Sequence, residues 1–281
     1  MDVTLAPVSA PGFLKLLAHD LRWKILTMLA RSDYNGQGFV HLLGQPQNLV
    51  SYHLRKLYEQ GLIAERRSTA DERSIYYSLD LEMVRSLYLT AGEALHPAMV
   101  AIDTRATTRV APTMDGEDTR AVDGEDTRAT TMVAPIDGED LRVLFLCTEN
   151  SARSQMAEAL LRHLSHGRVE AYSAGSHPTR VHPLALQALE ASEISTEGLR
   201  AKSIDEFLGL SFDYIVTVCD RVREACPTFP GDPERIHWSF ADPATVEGTA
   251  EERYRVFEQT SLQLTTRLRF LLTLLERIHR R

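Results

Sequence analysis

The sequence predicts two folded domains of different class: a mainly α domain over residues 1–98 and an α/β domain over residues 141–281. An acidic linker over 99–140 joins them. Apolar residues at helical spacing between 13 and 60 give way to a short hairpin pattern that ends near 79. A short apolar run beginning at Val143 passes straight into a polar loop and then a helical pattern, the mark of a strand–loop–helix unit. The tract between them is poor in aromatic residues and repeats Asp-Gly-Glu-Asp at 115–118, 123–126 and 137–140. Such short, irregularly spaced copies cannot build a stacked core, so a flexible tether is expected.

The chain has 281 residues, 43% hydrophobic and 25% charged, as expected for globular domains. Its net charge of −8 looks adverse to nucleic acid, but the acid is concentrated. Residues 101–140 hold 4 basic and 10 acidic side chains, while residues 1–100 balance, so the total says little about what the first domain binds. No run of about 18 apolar residues occurs, and the N-terminus lacks a basic segment followed by an apolar one. A cytoplasmic protein without a membrane partner is the expectation.

In the first domain, residues 13–30 carry apolar side chains at helical spacing, a second helical pattern covers 38–43, and Gly44-Gln45-Pro46 breaks it. A third runs from Gln47 to Gln60, with Leu49, Leu54 and Leu57 on the apolar side, and Gly61 stops it. Residues 62–67 and 73–79 read as two strands around a polar tip. Helices followed by such a hairpin make a winged helix-turn-helix. The stretch from Gln45 to Ile63 resembles the recognition helix of the ArsR family of repressors. That resemblance implies a homodimer, formed through this domain, that binds double-stranded operator DNA. Gln47, Asn48, Ser51, Tyr52 and His53 are then expected near base edges, and Arg55, Lys56, Arg66, Arg67 and Arg73 near phosphates. Arsenite-sensing ArsR proteins generally use cysteine thiolates, and residues 1–146 contain no cysteine. Thiolate coordination within this domain is excluded, the scattered histidines form no cluster, and no metal site is expected.

In the second domain, five residues separate Cys147 from Arg153, and Ser154 follows. A loop between a strand and a helix N-terminus cradles a tetrahedral oxyanion on backbone N–H groups. Here Thr148, Glu149, Asn150, Ser151, Ala152, Arg153 and Ser154 would form the cradle. Arginine can hold two oxygens at once. The same field is expected to lower the Cys147 pKa, making it a thiolate at neutral pH, with Ser154 donating to the sulfur. This motif is similar to that of the low-molecular-weight tyrosine phosphatase family. Ser173-Ala174-Gly175, Lys202-Ser203 and the buried strand pattern at 213–218 extend the likeness to about residue 275. The resemblance implies a four-stranded parallel sheet with the site at the strand ends, and Asp242, before Pro243, as general acid.

Cys219 and Cys226 lie seven residues apart after a strand pattern, as in thioredoxin-coupled arsenate reductases of this fold. By that resemblance Cys147 attacks arsenate, Cys219 attacks Cys147 as arsenite leaves, and Cys226 then attacks Cys219. Thioredoxin or another thiol reductant would reopen the resulting disulfide, and no bound cofactor is expected. A seven-residue helix spans about 10 Å, whereas a disulfide requires Cα atoms within about 7 Å, so a helical 219–226 segment must unwind on oxidation. Ala-Thr-Val after Asp242-Pro243 is too small for the aromatic slot of the tyrosine phosphatases. Two departures from the family stand out: Ala152, often cysteine, and Glu149, usually glycine, whose carboxylate would repel an oxyanion unless it points outward. The leading expectation is an arsenate reductase, with possible residual phosphatase activity, fused to a DNA-binding repressor. The alternatives are an oxyanion- or arsenite-sensing regulator with weak enzyme activity, and a protein tyrosine phosphatase.

Overall fold

The computed structural model describes residues 11–95 and 141–279. The expected linker at 99–140 lies outside the described residues.

The single helical pattern at 13–30 is two helices, α1 (Gly12–Leu17) and α2 (Asp20–Leu29). His19 divides them: its backbone is extended and its Nδ1 accepts from the Leu21 N–H at 3.2 Å, capping α2. A short strand, β1 (Tyr34–Asn35), leads into α3 (Gly36–Leu43), which Asn35 caps through the Gly38 N–H. Gly44, at φ +61°, ends α3 in the left-handed conformation and turns the chain toward α4 (Gln47–Glu59). Strands β2 (Ile63–Arg67) and β3 (Ile75–Leu79) form the wing, and α5 (Leu81–Leu95) follows. The sheet order is β1-β3-β2, all antiparallel, with Ile63 opposite Leu79 and Arg67 opposite Ile75. Ile25, Phe39, Leu54, Leu57 and Leu62 fill the centre.

The second domain is built on β4 (Leu141–Cys147), β5 (Val169–Gly175), β6 (Tyr214–Thr217) and β7 (Glu234–His237), all parallel in the order β5-β4-β6-β7. β4 is central and almost continuously buried, as a parallel strand covered on both faces should be. Helices α6 (Arg153–Leu164), α7 (Pro183–Glu190), α8 (Asp220–Glu224) and α9 (Ala250–His279) pack around the sheet. On α9, Phe257, Leu264, Leu268, Leu271 and Leu275 recur every three, four or seven residues and make one buried stripe against α6 and α7. None of the described helices is long and apolar enough to cross a membrane.

The two domains dock directly. The Asp33 N–H donates to the His237 carbonyl at 2.6 Å, and the Ser239 N–H donates to Asp33 Oδ2 at 2.6 Å. Arg267 Nη1 donates to the other oxygen of the fully buried Asp33 at 2.9 Å, and Ser32 Oγ accepts from the His237 N–H. Trp238 adds an indole N–H to the Arg31 carbonyl. A segment just past β7 is thus hydrogen-bonded to the turn between α2 and β1.

Candidate active site

β4 carries Cys147 to its carboxyl end, where its neighbours lie on opposite sides: β5 on one, β6 on the other. Ligands bind at such topological switch points because the loops diverge and leave a crevice. The loop 148–152 then enters α6 at Arg153. The carbonyls of Thr148, Glu149 and Ser151 accept from the N–H groups of His177, Thr179 and His182 at 2.8–3.0 Å. A trans peptide that turns its carbonyl outward turns its N–H inward. Accordingly the Asn150 N–H points to Cys147 Sγ, at 3.1 Å.

Asn150 sits at φ +48° and is fully buried. Its Nδ2 donates to Ser154 Oγ at 2.9 Å and to Ser173 Oγ at 2.8 Å, while Oδ1 accepts from the Lys202 N–H and from Gln155 Nε2, both at 2.8 Å. Gly175 explains how β5 approaches so closely: a Cβ there would lie 2.6 Å from the Thr148 carbonyl oxygen.

Ser154 Oγ lies 2.9 Å from Cys147 Sγ. Arg153 is buried and donates from Nη2 to Asp242 Oδ2 at 2.6 Å and from Nη1 to the Phe240 carbonyl at 3.0 Å. Asp242 also caps a short 3-10 turn (Pro243–Thr245) through the Ala244 N–H. Cys219 Sγ is 3.4 Å from Thr148 Oγ1, and the three cysteines are all unpaired thiols. Cys147, Cys219, Arg153 and Asp242 line one cavity of about 390 Å³. Cys226 lines a different one, of about 210 Å³, with Thr217 and Arg235. Glu149 is exposed, at the mouth of the larger cavity; Ser151 is half-buried and Ala152 buried at the foot of α6. The cavity therefore offers inward N–H groups, three arginines (Arg66, Arg153 and Arg221), two carboxylates (Glu149 at the mouth and Asp242) and two sulfurs, a set whose donors and cations suit an oxyanion.

The model of the low molecular weight phosphotyrosine protein phosphatase family matches residues 142–280, and that of the bacterial regulatory protein arsR family matches residues 19–65. An arsenate reductase of Halalkalibacterium halodurans is 37% identical over 127 residues, 45% of this chain and 91% of the relative. An arsenate reductase of Bacillus subtilis is 34% identical over 131 residues, 47% of this chain and 94% of the relative. The chain belongs to the low molecular weight phosphotyrosine protein phosphatase family. It joins that domain to an ArsR-family helix-turn-helix, and the fold expected from sequence, winged helix followed by four-stranded parallel sheet, is the fold observed. A solved structure described as an arsenate reductase in the phosphate binding state is 26% identical, covering 47% of this chain and 97% of its own, with a TM-score of 0.39.

One expectation for the phosphatase-family loop is corrected. Burial pushes the Cys147 thiol up, and the neighbouring Cys219 adds to this. Ser154, Arg153 and the Asn150 N–H pull the other way without reversing it. Burial of the residue, and after it the neighbouring Cys219, oppose the thiolate expected at neutral pH. Burial likewise pushes Cys226 up, with Arg235 partly offsetting it.

In the ArsR-family domain, Gln47, Asn48, Ser51 and Tyr52 are exposed on α4, and Leu49, expected on the apolar side, is exposed as well. His53 is corrected: it is 3% exposed, packed 4.3 Å ring-to-ring on His19. Val50, His53 or Leu54, and Leu57 form the inward stripe, so a side chain at 53 cannot reach a base edge. Arg55 and Lys56 are both paired with Glu59, at 2.9 and 3.1 Å. Arg67 and Arg73 are exposed on the wing. Arg66 is corrected too: its guanidinium turns to the second domain and pairs with Asp220 at 2.5 Å. Sequence reasoning assigned no role to Asp220, or to Thr69, His237 and Ser239, which with Arg66 surround its carboxylate. No local motif marks the contact, because Arg66 and Thr69 lie more than 150 residues from Asp220 in the chain.

Proposed function

We propose that the second domain reduces arsenate to arsenite through a three-cysteine relay, and that the first binds operator DNA as a repressor. One observation carries the enzymatic reading. Cys147 and Cys219 share a single cavity with Arg153 and Asp242, and a third thiol stands seven residues beyond Cys219. The arsenate reductases among the relatives support the choice of substrate.

Arsenate is held by the inward loop N–H groups and by Arg153, which exchanges part of its contact with Asp242 for the anion. Cys147, as thiolate, bonds to arsenic, and Asp242 protonates the departing oxygen, which leaves as water. Cys219 then attacks Cys147 Sγ. The S–As bond breaks with its electron pair remaining on arsenic, so As(V) becomes As(III) and a Cys147–Cys219 disulfide forms. Cys226 attacks Cys219, restoring the Cys147 thiolate and leaving a Cys219–Cys226 disulfide. A dithiol protein of the thioredoxin class returns two electrons to that disulfide. For the DNA side, the exposed Gln47, Asn48, Ser51 and Tyr52 would read the major groove as one half of a homodimer, with Arg67 and Arg73 on phosphates.

The test is arsenate-dependent NADPH oxidation with thioredoxin and thioredoxin reductase. Wild type should turn over, and Cys147→Ser, Cys219→Ser and Cys226→Ser should each lose turnover. Full activity in the last two variants would remove the relay. Hydrolysis of an aryl phosphate that depends on Cys147 alone would then identify a phosphatase.

A further inference from the structure

The loop between β2 and β3 reaches the rim of the catalytic cavity. Arg66 and Thr69 line that cavity together with Cys147, Cys219 and Asp242, although they belong to the DNA-binding domain. Their target is Asp220, the residue after Cys219 and the first of α8. Asp220 is fully buried, and its carboxylate is surrounded by donors from both domains. From the wing come Arg66 Nη2 at 2.5 Å, the Thr69 N–H at 2.8 Å and Thr69 Oγ1 at 3.2 Å. From the second domain come Ser239 Oγ at 2.7 Å and His237 Nε2 at 3.1 Å. Arg66 also donates from Nε to the Ser239 carbonyl at 3.0 Å and from Nη2 to Ser239 Oγ. Arg221, next on α8, donates to the Thr69 carbonyl at 3.3 Å. Burial opposes ionisation of Asp220, yet the bonds from His237, Thr69, Ser239 and Arg66 hold its carboxyl well below the usual range.

These contacts fasten the start of α8 to the wing. α8 occupies five of the six positions between Cys219 and Cys226, and the two sulfurs open onto different cavities. Joining them in a disulfide requires the intervening backbone to leave its helical path. Asp220 cannot keep five donors in register while the residue before it swings toward Cys226. We propose that Arg66 of the wing is a positioning residue of the thiol relay: by holding Asp220 it clamps α8 in the dithiol form, so that closing the Cys219–Cys226 disulfide loosens the wing. This inference rests on the relay proposed above. Linkage makes the effect reciprocal: whatever draws the wing off Asp220 favours the disulfide, and the disulfide frees the Arg66 guanidinium for a DNA phosphate.

The sign of the test follows. An interaction present only in the dithiol form stabilises that form, so removing it shifts the equilibrium toward disulfide. The full chain carrying Cys147→Ser, in which only Cys219 and Cys226 exchange, is equilibrated in reduced and oxidised glutathione. The disulfide fraction is then read by alkylation and mass measurement. Arg66→Ala should shift the equilibrium at least tenfold toward disulfide, a potential about 30 mV more negative. Arg66→Lys, which keeps a charge near Asp220 but not the fork onto Ser239, should recover part of the shift. Should Arg66→Ala fail to fold, Arg66→Gln carries the same expectation. An unchanged equilibrium, or a shift toward dithiol, overturns the clamp and leaves the relay standing. Absence of any Cys219–Cys226 disulfide in the parent chain, even in the most oxidising buffer, overturns the relay and the clamp with it.

Discussion

Arg153 and Asp242 are joined by a 2.6 Å ion pair across the mouth of the cysteine loop. Burial sets the direction in which the Cys147 thiol is displaced, and Arg153, which opposes that displacement, is also engaged by the Asp242 carboxylate. With its pKa pushed above the ordinary thiol value of about 8.5, Cys147 holds little thiolate at neutral pH and gains it as pH rises. Its rate of alkylation by iodoacetamide should climb through pH 8, with a midpoint above that of a free cysteine. Asp242→Asn, which leaves the Arg153 charge unopposed, should lower the midpoint, and Arg153→Ala should raise it. Midpoints that do not move in opposite directions would dissociate the ion pair from the nucleophile.

The Asp33–Arg267 contact gives a second prediction, about cohesion. Arg267→Ala leaves a fully buried carboxylate with one charged partner fewer, a change that costs about 3 kcal/mol in comparable buried pairs. The loss should fall on the domain interface. In a Trp23→Phe background, Trp238 alone reports by fluorescence, and it lies at that interface with its N–H on the Arg31 carbonyl. Arg267→Ala should red-shift its emission and lower the urea midpoint that this emission reports. A wild-type spectrum and midpoint would mean that Asp33 is held without Arg267.

A third prediction separates two neighbours on α4. Tyr52 is 54% exposed and His53 is 3% exposed. Tyr52→Ala should change which operator sequences are preferred, by about 1–3 kcal/mol at one base pair. His53→Ala should lower thermal stability and leave the preference order intact. Arg73→Ala on the wing should weaken binding to all duplexes alike and reduce the salt-dependence slope by about 0.9. Competition titrations over a panel of duplexes at several salt concentrations would distinguish the three.

These residues also mark how far the sequence could be read. The cysteine loop was legible because its parts are contiguous: a strand, Cys147, five residues, Arg153 and a helix. The helix-turn-helix and wing were legible from apolar period and turn residues. On α4, Leu54 and Leu57 lie inward as read, but Leu49 lies on the open side and the remaining core positions are Val50 and a polar histidine, His53. Arg66 was invisible in its true role. On an edge strand a guanidinium reads as a phosphate contact, and only the docking of a surface about 150 residues away turns it to Asp220. The thiolate expectation failed for a related reason: the motif supplies the donors around Cys147 but says nothing of how completely the fold encloses it.

Asn150 carries a consequence for selectivity. Its left-handed backbone is locked by side-chain bonds to Ser154, Ser173, Gln155 and the Lys202 N–H, so the loop has its final shape before any anion arrives. Little conformational entropy is then lost on binding, and the N–H groups need no rearrangement as charge builds on the oxygens. The same rigidity sets a limit. A ring of donors that cannot widen discriminates by the curvature of the anion: tetrahedral species fit, and planar anions of equal charge, such as nitrate, leave part of the ring unmatched.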